Sequence, residues 1–297
     1  MKIPHFFKAK SRLGLINPPI RHAEINRGVE DAPDSILSPR FLKEFDQKSV
    51  TEFTFSNPED VEKENYYSVL ATQLKEFTDI INSSIKDGQT QVVIGGDNSA
   101  TFSSFLAAIN RTPNINSVGY LQFDSHGEMH LHSTSISKNF HGMYMRPFFG
   151  TFDIAEIEDL IPNKLDLSQA LTIGDIIFDE GDNSPRGEKS LYNNISNISR
   201  EEYIERKLEI LDEIQNFIYK FDHIHINFDI DIFDADSVGP SGMGNEGKWL
   251  WEDTLPIIDV LNKKQNISLD IVEVNPKITG AEKTVQTAQK IIKLLLA

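Results

Sequence analysis

Cysteine is absent from all 297 residues. No disulfide framework and no thiolate ligand is open to the chain, so any metal it holds must be taken by nitrogen and oxygen donors. Positive charge is scarce too: 29 lysines and arginines stand against 45 aspartates and glutamates, a formal net charge of -16. A balance of that sign argues against nucleic acid or an anionic membrane as partner and is compatible with a cationic one. No stretch approaches the ~18 apolar residues of a membrane span, and Met1-Lys2-Ile3-Pro4-His5 lacks the apolar core of a secretion signal. The expectation is a soluble, cytoplasmic chain. No linker, low-complexity block or internal repeat divides it, which favours one α/β domain over residues 1–297.

What is present alternates between helix and strand patterns. Gly14-Leu15-Ile16 is a candidate first strand amid the prolines of residues 1–60. Leu70, Leu74, Phe77, Ile81 and Ile85 keep helical spacing over about 62–87, and Gly88 suits the stop. Gln91-Val92-Val93-Ile94 is a short buried strand running into Gly95-Gly96-Asp97-Asn98-Ser99, with a helix beginning near Ala100. Strands are expected at 118–123 and 171–173, with a polar, acid-rich loop at about 175–188 that reads as mostly solvated. Ser199 and Glu202 form a capping-box pattern before a helix over about 201–220, whose stripe is Ile204, Leu208, Leu211, Ile214 and Ile218. From His223 to Asp231 apolar and polar residues alternate, Leu269 to Val274 is a further strand, and an amphipathic helix closes the chain over about 280–296. Such alternation argues a mainly parallel sheet covered on both faces, with ligands beyond the carboxyl ends of its strands.

The polar clusters fall at those ends. Asp124, His126 and Glu128 follow the strand 118–123 at alternate positions, which in extended chain places two carboxylates and an imidazole on one side. Asp229 and Asp231 close the strand from His223, Glu273 interrupts an apolar run, and His141 sits in Asn139-Phe140-His141-Gly142-Met143. Each has a plainer reading: solvated strand-end acids for Asp229 and Asp231, a turn residue for His141, a buried salt bridge for Glu273. His223 and His225 lie within their strand and read as structural.

Taken in order, G-G-D-N-S, D-S-H-G-E, N-F-H-G-M, N-F-D-I-D-I-F-D and D-I-V-E-V-N-P resemble the ureohydrolases, the family of arginase, agmatinase and formiminoglutamase, across about residues 92–276. The resemblance implies a three-layer α/β/α arginase-type fold, two manganese ions per chain, hydrolysis of a guanidino or amidino C–N bond, and trimers or hexamers. It implies that Asp124 and Asp229 bridge the metals and that His126 and Asp231 complete the second metal's set. Glu128 stands where an aspartate, and Asn98 where a histidine, would serve the first metal. His141 matches a proton-relaying histidine and Glu273 the acid that holds the guanidinium. Ser137, Asn139 and His130 match positions that hold a substrate carboxylate, and Asp179 one that holds an α-amino group. These favour arginine, an arginine relative or an arginine within a peptide as substrate.

The chemistry asks for such residues independently. A carboxylate-rich set with an imidazole suits Mn²⁺ or a similar divalent ion. A carboxylate grips two guanidinium N–H groups at once, and a histidine is the natural donor to a leaving amine. Asn98 is a weaker donor than an imidazole, and Glu128 is one methylene longer than aspartate. A remodelled dinuclear site, a site with one firmly held metal and a non-catalytic binding protein all remain open, as does a one-metal deacetylase on the same fold. Ala235 and Ser241-Gly242-Met243-Gly244 depart from the family pattern, the latter implying a different substrate contour.

Overall fold

The computed structural model describes residues 2–17, 26–178, 187–244 and 246–297. Its centre is an eight-stranded sheet made of β1 (Ile3–Lys10), β2 (Ser49–Thr54), β3 (Gln89–Gly95), β4 (Val118–Phe123), β5 (Ala170–Ile173), β6 (Ser196–Ile198), β7 (His223–Asp229) and β8 (Ile267–Val272). The spatial order is β2-β1-β3-β8-β7-β4-β5-β6, and every neighbouring pair is parallel. Parallel strands need helical crossovers, and helices on both faces explain why β4, β7 and β8 are buried along their whole length. Val92 and Ile94 face one layer, packing in a core with Ile210, Ile214, Ile218, Ile257 and Ile291. Val93 faces the other, in a core with Leu70, Leu74, Phe77, Phe102 and Phe105. The expected α/β/α layering is therefore what the alternation of single strands produces.

Two expectations are corrected. The first strand is Ile3–Lys10, and residues 14–16 are irregular chain folded inward. Pro4 near the strand start hid the pattern, although proline is tolerated at a strand's first residues. The helix over 201–220 is broken at Arg206 into Arg200–Glu205 and Lys207–Lys220. Arg206 leaves helical backbone at φ -124° and ψ 34°, Ile204 is 55% and Leu208 79% exposed, and the buried residues of the second segment are Ile210, Ile214 and Ile218, of which the expected stripe held the last two. Arg206 is held there by Glu202, Glu209 and Glu213 at 2.6, 2.9 and 2.8 Å. Ser199 does cap the first segment, accepting from Glu202 N–H at 3.3 Å.

The middle of the sheet is polar on one face. His225 bonds Ser268 Oγ at 2.7 Å and Asp270 at 2.8 Å, and Ser104 donates to the other oxygen of Asp270. Asn227 donates to Tyr144 OH at 2.8 Å, which pairs with Tyr120 OH at the same distance. Buried polar groups so bonded cost little, and they lock β4, β7 and β8 in register beneath the strand ends. His225 is thus structural, as expected.

Gly174, just past β5, is where backbones come closest beside the strand ends: a Cβ there would lie 1.7 Å from the Asp124 carbonyl oxygen. Gly174→Ala must push Asp124 aside, and overpacking of this kind costs about 1–3 kcal/mol. The expected outcome is a loss of that size in denaturant titration.

Candidate metal centre

The carboxyl ends of β3, β8, β7 and β4 stand side by side, and each chain turns sharply as it leaves the sheet. After β4 come Asp124, His126 and Glu128; Asp124 and Glu128 are buried, and the His126 side chain is one-quarter exposed. They do not converge as alternate residues of an extended strand. Glu128 adopts a left-handed φ of 57°, which turns the loop back on itself. Likewise β7 ends at Asp229, and Asp231 lies in the 3-10 turn Ile230–Ile232, with its N–H donating to Asp229 Oδ1 at 3.0 Å. Glu273, one residue beyond β8, has φ 59°, and Lys138 in the neighbouring loop has φ 58°. Among the described residues these are the three non-glycine positions at positive φ, a backbone strain that persists only where surroundings over-determine it.

The ligand atoms of Asp124, His126 and Glu128 lie within 4.8 Å of one another, and so do those of Asp124, Asp229 and Asp231. Asp124 belongs to both groups. His126 Nδ1 is 3.0 Å from Asp231 Oδ2, 3.6 Å from Asp124 Oδ1 and 4.0 Å from Glu128 Oε1. The carboxylates are aimed by their neighbours: Gln122 Nε2 and His126 N–H donate to Asp124 at 2.6 and 2.8 Å, and Ser125 N–H to Asp231 at 3.2 Å. Asn98, at the start of the helix Ser99–Arg111, donates from Nδ2 to Asp229 Oδ2 at 2.7 Å and from its N–H to Glu273 Oε1 at 3.2 Å. All six residues expected to be ligands are therefore brought to one place.

The residues fit a bound cation. Asn98 Oδ1 and Glu128 Oε2 are buried acceptors with no hydrogen-bond donor among the described residues, and Asp231 Oδ2 has the His126 ring nitrogen 3.0 Å away. Unpaired buried carboxylates are costly, and a divalent ion is the direct remedy. Burial, then the charge of Asp231, pushes Asp124 up to about 7. Burial first and neighbouring acids second also raise Asp229 and Glu128. An oxygen-rich set with one imidazole is a hard-to-borderline donor set.

Beside this centre lie His141 and Glu273, with Nδ1 and Oε1 3.5 Å apart and both residues buried. Burial pushes His141 down to about 4, leaving a neutral ring, and raises Glu273. The expected substrate positions are more mixed. Asn139 uses its amide on Asn17, accepting from its N–H at 2.8 Å and donating to its carbonyl at 3.0 Å. Ser137 Oγ accepts from Asn139 N–H at 3.3 Å. His130 Nε2 lies 3.3 Å from Glu188 Oε2, and Asp179 lies outside the described residues.

Two buried acids carry parts that sequence reasoning did not assign. Asp97 of the G-G-D-N-S motif accepts from Gly14 N–H at 2.7 Å, and Gly14 in turn accepts from His141 N–H at 3.3 Å. It therefore anchors the inward-folded residues 14–16 beneath the histidine. Glu188, at the end of the stretch read as solvated, is 2% exposed and accepts from Met129 N–H at 2.8 Å. The acidic surroundings in sequence gave no sign of this, because its burial follows from the chain packing onto Gly127, not from its neighbours along the chain.

Fold and site together define a parallel α/β protein with a carboxylate-rich cation centre at its strand ends. Residues 12–297 match the model of the Arginase family, and the chain belongs to that family. Its relatives include an arginase of Staphylococcus aureus, 24% identical over 95% of this chain and 96% of that protein. Among solved structures, an Entamoeba histolytica arginase in complex with L-ornithine superposes with a TM-score of 0.82 at 23% identity, covering 100% of this chain and 99% of the other. A Bacillus subtilis formimidoylglutamase gives 0.71 at 15% identity, covering 100% and 86%. The chain is thus placed among hydrolases acting on C–N bonds.

Asn98→His replaces a weak amide donor by imidazole at the edge of this centre. Divalent-cation affinity, probed with Mn²⁺ by calorimetry, should tighten by about tenfold; unchanged affinity would show that Asn98 is off the centre.

Proposed function

We propose that this chain is a metal-dependent amidinohydrolase that cleaves a guanidino C–N bond in arginine or an arginine-like compound and releases urea. The observation that carries the reading is the shared Asp124, which joins two ligand groups beside a buried acid–histidine pair. Asp124, His126, Glu128, Asp229, Asp231 and Asn98 would hold the metal, with manganese, two ions per chain, favoured by the donor set. When bound, it supplies a water acidic enough to yield hydroxide near neutral pH.

The chain's own groups do the rest. Glu273 uses Oε2, which has no donor among the described residues, to hold guanidinium N–H groups and fix the carbon in place. Water adds to that carbon, the bond to the alkyl nitrogen breaks, and the nitrogen leaves protonated, giving urea and an alkylammonium. His141, kept neutral by burial, relays the proton to the leaving nitrogen. Asn139 fixes the loop, while Ser137 and His130 face the substrate's amino-acid end. The longer Glu128, swung in by its left-handed backbone, makes up for the weaker Asn98 and keeps the centre dinuclear.

Manganese-loaded protein should release urea from at least one of L-arginine, hydroxyarginine, agmatine or an arginine peptide. Background rates throughout, with two metals per chain confirmed by elemental analysis, would falsify the reading. One metal per chain would instead favour a mononuclear hydrolase. Glu273→Gln should lower kcat/KM by about 100-fold or more, with manganese content unchanged.

A further inference from the structure

At the end of the sheet opposite the metal centre, a cavity of about 170 Å³ opens between the starts of β3, β7 and β8 and the last turn of the helix Ser99–Arg111. It is large enough for several waters or a small ion. Gln89, Gln91, Arg111, Asp222, His223 and Asn266 are among its lining residues. Arg111 is the cation of this group, in a chain whose net charge is -16.

The guanidinium of Arg111 is turned inward and donates to Asn82 Oδ1 at 2.9 Å and to Gln91 Oε1, both neutral acceptors. No carboxylate among the described residues pairs with it. Burial, unopposed by any neighbouring acid, pushes it down to about 10. A basic residue in the last turn complements a helix dipole, but that requires no half-buried guanidinium folded against Gln91.

The other polar side chains around it are already engaged within the protein. Gln91 Nε2 donates to Ser104, and His223 places its two ring nitrogens on Asn266 Oδ1 and Ser268 Oγ at 3.0 and 2.9 Å. Burial pushes His223 down to about 4, so it contributes no charge. Asp222, the one lining acid, is exposed and lies in the field of Lys264. The charge of Arg111 is what remains unanswered. A guanidinium offers five N–H donors in a planar fork, and among the described residues two are used.

We infer that this cavity binds a small oxyanion on the Arg111 guanidinium. Gln91 bonds Ser104, and Ser104 donates to Asp270, the buried partner of His225. An anion seated on Arg111 therefore bears on the polar network beneath β7 as well as on the cavity wall.

Sulfate titrated into the full chain at constant ionic strength, followed by calorimetry, should show one saturable site. Acetate in a parallel titration separates a tetrahedral preference from a carboxylate one; either supports the site. Affinity should fall at least about tenfold in Arg111→Gln and persist in Arg111→Lys and in Glu273→Gln, the last separating this cavity from the metal centre. Selenate soaked into crystals of the unaltered protein provides a reading independent of how Arg111→Gln folds: an anomalous peak against Arg111 is expected. No saturable heat, a peak elsewhere, or equal affinity in a folded Arg111→Gln overturns the proposal.

Discussion

Five carboxylates, those of Asp124, Glu128, Asp229, Asp231 and Glu273, are buried together where four strands end. Like charges taken out of water repel one another and lose solvation, so this cluster is costly to bury. Everything close to it offsets that penalty. Backbone N–H groups at Ser125, His126, Asp231 and Asn98 each donate to one of the acids. Among the described residues Asn98 Oδ1 and Glu128 Oε2 have no donor at all, and they sit where cation ligation would satisfy them.

Holding charges in place against repulsion requires a stiff foundation. The parallel sheet provides it through β4, β7 and β8, which are buried along their whole length and tied together by His225, Asp270, Ser268, Asn227, Tyr144 and Tyr120. A network satisfied at every member rigidifies what it spans. That rigidity also tolerates left-handed backbone at Glu128 and Glu273, two residues whose side chains must point into the centre.

The departures at Asn98 and Glu128 belong to one region and are physically linked. The amide of Asn98 keeps hold of Asp229 while its buried Oδ1 has no donor among the described residues. The same is true of Glu128 Oε2. A shorter reach on one side and a longer one on the other is a coherent change of donor set, in which the neighbouring group of Asp124, Asp229 and Asp231 keeps its close spacing.

Much of this was legible in the chain itself. Hydrophobic periodicity marks β3, β4, β7 and β8, because strands buried on both faces must be apolar wherever they are not bonded to a partner. The absence of cysteine, and the recurrence of Asp, His and Glu where apolar runs stop, determine the kind of donors available. What sequence could not supply is convergence. Residues 98, 124, 229 and 273 meet only because the order β3-β8-β7-β4 sets their strand ends side by side. The turned loops at Asp124–Glu128 and Asp229–Asp231 replace the extended geometry that spacing suggests, since only φ and ψ in the folded chain decide where a side chain points. Glu188 and Arg111 make the same point from opposite ends of the molecule. Burial of a charge is a property of the packing around it, so one acid from a polar loop became part of the centre's wall and one helix-terminal arginine was left facing a cavity. Composition and motif order alone determined the chemistry this protein has to hand; the parallel sheet decided which residues share it.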